Sequence, residues 1–216
     1  MNKTSVFHFI FIGILAFTLF SCESAKKELP ILGPRTTVEN IVDGQSQTDT
    51  LYHKIGDFAF YNQDSVLLTN KDFEGKIYIA DFFFTTCPTI CPIMKTQMVR
   101  VYEEFKDEEQ VKILSHTIDP EHDDVALLHK FAGQLGVKAP KWNFVTGEKS
   151  EIYRIGQESY MVSALEDPEA PGGFIHSGAF ILVDQKGHIR GLYDGTKADQ
   201  VDRLIRDIPR LMAGTK

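Results

Sequence analysis

The sequence predicts an α/β sandwich, and three observations carry that expectation. The run Ile77 to Thr85 (IYIADFFFT) is almost continuously apolar, as a strand buried on both faces should be. A helical pattern and a second strand-like run follow within about forty residues, which favours a right-handed parallel crossover. Late in the chain, two strand-like runs flank a glycine-containing turn, and an amphipathic stretch closes the sequence.

Taken in order, Phe58 to Tyr61 and Val66 to Thr69 read as strands around the turn Asn62-Gln63-Asp64-Ser65, an N-terminal hairpin extension. From Pro92 to Phe105, the apolar residues Met94, Met98, Val101, Tyr102 and Phe105 recur at helical spacing. Val111 to Ile118 (VKILSHTI) is the next strand. Helices are expected over 123–135 and 148–157, separated by Trp142-Asn143-Phe144-Val145. Phe180 to Val183 and Ile189 to Tyr193 flank Asp184-Gln185-Lys186-Gly187-His188, and Lys197 to Leu211 is the closing helix. This order fits a thioredoxin-like three-layer sandwich with a C-terminal hairpin plus helix.

The 216 residues suffice for one domain with a sizeable core and appendages. A balance of 23 basic to 30 acidic residues, net −7, with no basic block, argues against a nucleic-acid partner. Residues 1–21 are expected to be an export signal. One early lysine precedes an apolar run from Val6 to Phe20, short for a span of about 20 residues. The run ends in Leu19-Phe20-Ser21-Cys22, similar to a bacterial lipobox, so Cys22 is the expected lipidation site. The alternative is an uncleaved signal anchor with Cys22 incidental. Residues 22–50, polar and with few aromatics, read as a tether, and the folded domain is placed at 51–216.

With Cys22 lipidated, the exported domain keeps Cys87 and Cys91, in TTCPTICPIM. An even pair in an oxidising compartment usually means a structural disulfide, yet this one would close too short a loop to stabilise much. Function is the better reading. The pair is either a thiol–disulfide centre with three intervening residues instead of the usual two, or a pair of thiolates set for a metal. Pro92 would cost ~3 kcal/mol inside a helix and nothing at its first position, which puts Cys91 at the N-cap and Cys87 on the preceding loop. There, free backbone N–H groups and the helix dipole lower a thiol pKa. Both sulfurs would lie at the carboxyl end of the parallel strands.

DFFFTTCPTICPIM, SHTIDPEHDD and GGFIHSGAFILVD resemble the Sco/SenC family of thioredoxin-fold copper proteins, from about Phe58 to the last helix. The family motif C-x-x-x-C-P falls on Cys87, Cys91 and Pro92, and its third copper ligand, a histidine before the late hairpin, falls on His176. The resemblance implies a membrane-anchored protein, facing the periplasm or cell exterior, that helps metallate the binuclear copper centre of cytochrome c oxidase. Its partners would be the oxidase copper subunit or another copper chaperone. Two thiolates and an imidazole suit Cu(I) and can hold Cu(II), with zinc the main rival. Structural zinc normally takes a fourth protein ligand, and none is obvious in the sequence.

Of the other histidines beyond the signal, His188 is expected to be solvated in its turn, and His53, His116, His122 and His129 carry no assignment. Met94 and Met98 read as core rather than copper donors. Asp81, six residues before Cys87, is either a base for thiol chemistry or a carboxylate satisfied within its strand. The competing function is a thiol–disulfide reductase in which Cys87 and Cys91 exchange disulfides with a partner. A thiol peroxidase is disfavoured, because Phe84 stands where peroxiredoxins place a threonine. Thioredoxin-type reductases carry a cis-proline before the late strand, whereas Phe174 to Ala179 holds His176 and no proline.

Overall fold

The computed structural model describes residues 28–213, so the expected signal peptide and Cys22 lie outside the described residues. Strands β1 (Arg35–Val42) and β2 (Gln45–Tyr52) form an antiparallel hairpin. This corrects the expected tether. Both strands are too polar to show hydrophobic alternation, and the only local signal is Asp43-Gly44, whose φ values of 52° and 77° suit a two-residue hairpin turn. Just upstream, Leu29 is buried, Leu32 N–H donates to the Ile189 carbonyl at 2.8 Å, and the Arg190 guanidinium donates to the Leu29 and Pro30 carbonyls. Contacts with the core therefore begin well before Leu51.

The remaining elements follow the expected order. They are β3 (Ala59–Asn62), β4 (Leu67–Thr69), β5 (Ile77–Phe83), α1 (Cys91–Phe105), β6 (Val111–Thr117), α2 (Val125–Leu135) and β7 (Trp142–Thr146). After α3 (Lys149–Arg154) the expected longer helix becomes a π-helical turn over Ile155–Ser159. Then come β8 (Ala164–Glu166), β9 (Phe174–His176), β10 (Ala179–Val183), β11 (Ile189–Asp194) and α4 (Ala198–Ala213). The pairing of β8 with β9 is a second unforeseen hairpin.

Seven strands make one mixed sheet in the order β11-β10-β5-β6-β7-β3-β4, with β5, β6 and β7 parallel. All seven residues of β5 are buried, as its unbroken hydrophobicity required. Alternation along β5 divides its side chains between two layers. Asp81 and Phe83 meet Lys95 of α1, and Phe131 of α2 stacks on Phe83. On the other face, Phe82 packs against His116 and Tyr160, beside Phe58 and Phe60. The carboxyl end of β5 leads straight into the loop that carries Cys87.

Candidate metal centre

The loop between β5 and α1 is shaped by its backbone. Cys87 N–H donates to the Phe84 carbonyl at 3.2 Å, and Met94 N–H to the Ile90 carbonyl at 2.9 Å opens the helix. Ile90, not Cys91, is the N-cap, so Cys91 occupies the first helical position and Pro92 the second. The one-residue shift costs nothing, because none of the first four helical N–H groups has an intrahelical acceptor for proline to forfeit. Thr85 anchors the start of the loop. Its N–H donates at 3.0 Å to the buried carboxylate of Asp123, which also accepts from the Thr85 and Thr117 hydroxyls.

His176 arrives from the other side on β9, held by pairing with Ala164. The Phe84 ring meets its imidazole edge-on, at 5.7 Å between centroids. Its Nε2 lies 3.3 Å from Cys91 Sγ and 3.6 Å from Cys87 Sγ. Its Nδ1 lies 3.3 Å from the Ser177 carbonyl. A carbonyl only accepts, so Nδ1 carries the proton and Nε2 turns a lone pair toward the sulfurs. The three donor atoms lie within 4.8 Å of one another. Metal–sulfur and metal–nitrogen bonds of about 2.0–2.3 Å imply donor separations near 3.5–4 Å, so the set fits a single ion. Among the described residues this is the one such group of three.

Both cysteines are free and buried, but their electrostatics differ. For Cys87, burial pushes the thiol up, yet hydrogen bonds from the backbone N–H groups of Thr89 and Cys91 outweigh it and the pKa falls. For Cys91, burial dominates and raises the thiol strongly, with Lys95's charge as the main opposing influence. The expectation of a lowered thiol at the helix start is thus corrected for Cys91. Burial also lowers His176 and so disfavours its charged form, an effect partly countered by the hydrogen bond to the Ser177 carbonyl.

Of the other singled-out residues, Met94 and Met98 are fully buried in the core. Asp81 is equally buried and satisfied by Lys95 Nζ at 2.7 Å and by the Ser115 hydroxyl. His188 corrects its expectation. It is 8% exposed, with Nδ1 2.8 Å from the His53 carbonyl and its ring edge toward Tyr52. His122 is exposed, His129 pairs with Asp64 at the surface, and His53 Nε2 lies 2.7 Å from the Ser159 carbonyl. Residues the sequence did not flag include Asp123, read there only as a helix start, and Lys95. Lys95 follows Cys91 by one helical turn, a spacing that could have signalled it.

The family profile described as SCO1/SenC matches residues 46–213. The structure is similar to that of a SCO1/SenC family lipoprotein from Bacillus anthracis, at 31% identity and TM-score 0.68, covering 74% of this chain and 95% of that one. It is similar to BsSco, in which a disulfide switch is described and which is termed a member of the Sco family of cytochrome c oxidase assembly proteins. Identity there is 32%, the TM-score is 0.66, and coverage is 76% and 95%. Yeast Sco1 with copper bound shares 25% identity at TM-score 0.56, covering 73% and 89%.

Proposed function

Because the chain belongs to the SCO1/SenC family, we propose that it binds copper and helps metallate the binuclear copper centre of cytochrome c oxidase. The observation that carries the reading is the convergence of Cys87, Cys91 and His176 on one point. Two soft thiolates and one imidazole match Cu(I) and accept Cu(II), and three ligands leave the ion accessible for transfer. The chain's own residues would hold the ion, with Nδ1 of His176 kept protonated by the Ser177 carbonyl so that Nε2 is free to ligate. The partner would be the oxidase copper subunit or another copper chaperone.

Export, with lipidation at Cys22 and a membrane position facing the periplasm or cell exterior, belongs to the same proposal. It is supported by the apolar run ending at Cys22 and by the lipoprotein from Bacillus anthracis.

A second reading, thiol–disulfide reductase, is favoured by the asymmetry of the cysteines. The Cys87 thiolate would attack a partner disulfide, forming a mixed disulfide and releasing one partner thiolate. Cys91 would then lose its proton and attack Cys87 sulfur, releasing the second thiolate and leaving a Cys87–Cys91 disulfide, two electrons having passed to the partner.

Copper titration of the reduced full chain, against a competing chelator, tests the main reading. The wild type binds one equivalent and the disulfide form none. His176→Ala loses affinity by about a hundredfold while keeping disulfide exchange. Oxidase assembly in cells by a His176→Ala protein shown to have lost copper would replace the chaperone with the reductase.

A further inference from the structure

The chain enters the fold at the end opposite the metal centre. Leu29 is buried, Leu32 N–H donates to the Ile189 carbonyl, and Arg190 holds the Leu29 and Pro30 carbonyls, all beside the β10–β11 turn. Because β10 runs antiparallel to β5, with Val183 opposite Tyr78, that turn lies at the amino end of β5, whereas Cys87 follows its carboxyl end. Glu28 stands six residues after Cys22, a length that spans at most about 22 Å fully extended. A compact fold of this size is about 40 Å across. A membrane anchor at Cys22 therefore keeps the β10–β11 end close to the bilayer and is too short to reach round to the metal end. An uncleaved anchor ending at Phe20 would lengthen the link by only two residues.

The surface at that end suits anionic headgroups. Glu28, Arg35, Tyr52, Lys186, Arg190 and Arg210 are among the residues lining one groove of about 530 Å³. Arg190 is paired with Asp184 and Arg210 with Asp207. Arg35 and Lys186 are exposed and form no ion pair among the described residues, and the same holds for Arg206, one helical turn before Arg210. Glu28 is the exposed acid of the groove. The Arg35 guanidinium lies 5.4 Å from the centre of the Tyr52 ring, which is half-buried at 39% exposure. Tyrosine rings favour the headgroup layer of a bilayer, and cations are drawn to an anionic one. The metal end carries the opposite sign. Glu121 and Asp124 follow β6, Glu166 and Glu169 sit on the β8–β9 hairpin, and all four are exposed, with Lys149 between Glu121 and Glu166. An anionic surface thus attracts one end of the domain and repels the other.

We propose that the β10–β11 end, through Arg35, Lys186 and Arg206, rests on the headgroups of an anionic phospholipid bilayer and so points the metal centre away from the membrane. This rests on the membrane anchoring in the proposed function and not on copper binding, and its test is separable from both.

The test uses the mature chain purified from membranes and reconstituted in vesicles of phosphatidylcholine, alone or equimolar with phosphatidylglycerol. Hydrogen exchange is read by mass spectrometry. On the anionic vesicles, amides of residues 31–36 and 185–188 should exchange at least about fivefold more slowly than on the neutral ones, while those of 85–91 stay unchanged. Salt at about 0.5 M should abolish the difference. Arg35→Glu/Lys186→Glu should lose it. Lys130→Glu/Lys197→Glu, the same charge change elsewhere on the surface, should keep it, and melting temperatures verify that both variants fold. Equal exchange on the two lipids, or protection at 85–91 instead, overturns the proposal. Recovery of the chain in the soluble fraction of cells overturns the anchoring instead. Sedimentation of that chain with the same vesicles then still decides the surface: Arg35→Glu/Lys186→Glu should bind about tenfold more weakly, and equal binding overturns it.

Discussion

His176 Nε2 stands 3.3 Å from Cys91 Sγ although 85 residues separate the two in sequence. The contact joins the start of a helix to a three-residue strand from a separate hairpin. It forms because β5 and β10 are neighbours in the sheet and deliver both segments to the same end.

The two thiols should differ in reactivity. In the reduced, metal-free protein at pH 7.5, Cys87 should alkylate at least about tenfold faster than Cys91, since Cys87 is lowered and Cys91 raised. Timed alkylation followed by peptide mass spectrometry measures the ratio. Equal rates would remove the assignment of Cys87 as the attacking sulfur.

Gly172 should resist substitution. It holds φ at +81°, and a Cβ there would lie 2.9 Å from Phe84 Cε2 and 3.1 Å from Pro88 Cδ. Gly172→Ala should cost about 1–2 kcal/mol and weaken copper binding, because the segment leading to His176 must lift off the cysteine loop. Thermal melts and titration read the two effects, and an unperturbed variant would mean that this close approach does not position His176.

Asp123→Ala should be among the more damaging single changes outside the three donors. It strips the acceptor from Thr85 N–H and from the Thr85 and Thr117 hydroxyls, groups packed around a fully buried carboxylate. A loss of about 3 kcal/mol is expected by chemical denaturation, with partial recovery in Asp123→Asn, which keeps one acceptor oxygen.

His116 sets an acid limit on stability. Neither ring nitrogen finds a hydrogen-bond partner among the described residues, and the ring stacks on Phe82 at 4.8 Å with Tyr160 at 5.3 Å. Burial lowers its pKa from 6.5 to about 4, so the folded protein keeps it neutral where the unfolded chain takes up a proton. Between those values the unfolded state binds more protons. This contribution is therefore complete above pH 6.5 and lost as pH falls toward 4, roughly 3 kcal/mol in all. His116→Leu should flatten that part of the stability–pH curve, as read by urea melts from pH 7 to 4. An unchanged slope would place the acid sensitivity elsewhere.

The sequence by itself determined the order of the central-sheet strands and main helices, the loop position of Cys87 with Cys91 within one residue of its place at the helix start, and the core placement of Met94 and Met98. These follow from signals a few residues long: unbroken hydrophobicity in β5, helical spacing after Pro92, and the ease with which a first helical turn accepts proline. Tertiary structure alone decided the rest. The β1–β2 hairpin is mostly polar and shows no apolar alternation to announce it, and His188 is buried with its ring held by the carbonyl of His53, 135 residues away. Lys95 looks like a surface lysine until Asp81 comes within 2.7 Å across the helix–sheet interface. Which cysteine is the more acidic was also beyond local pattern. Desolvation, Lys95's charge and the N–H groups aimed at each sulfur act through space, and only the folded chain fixes those distances.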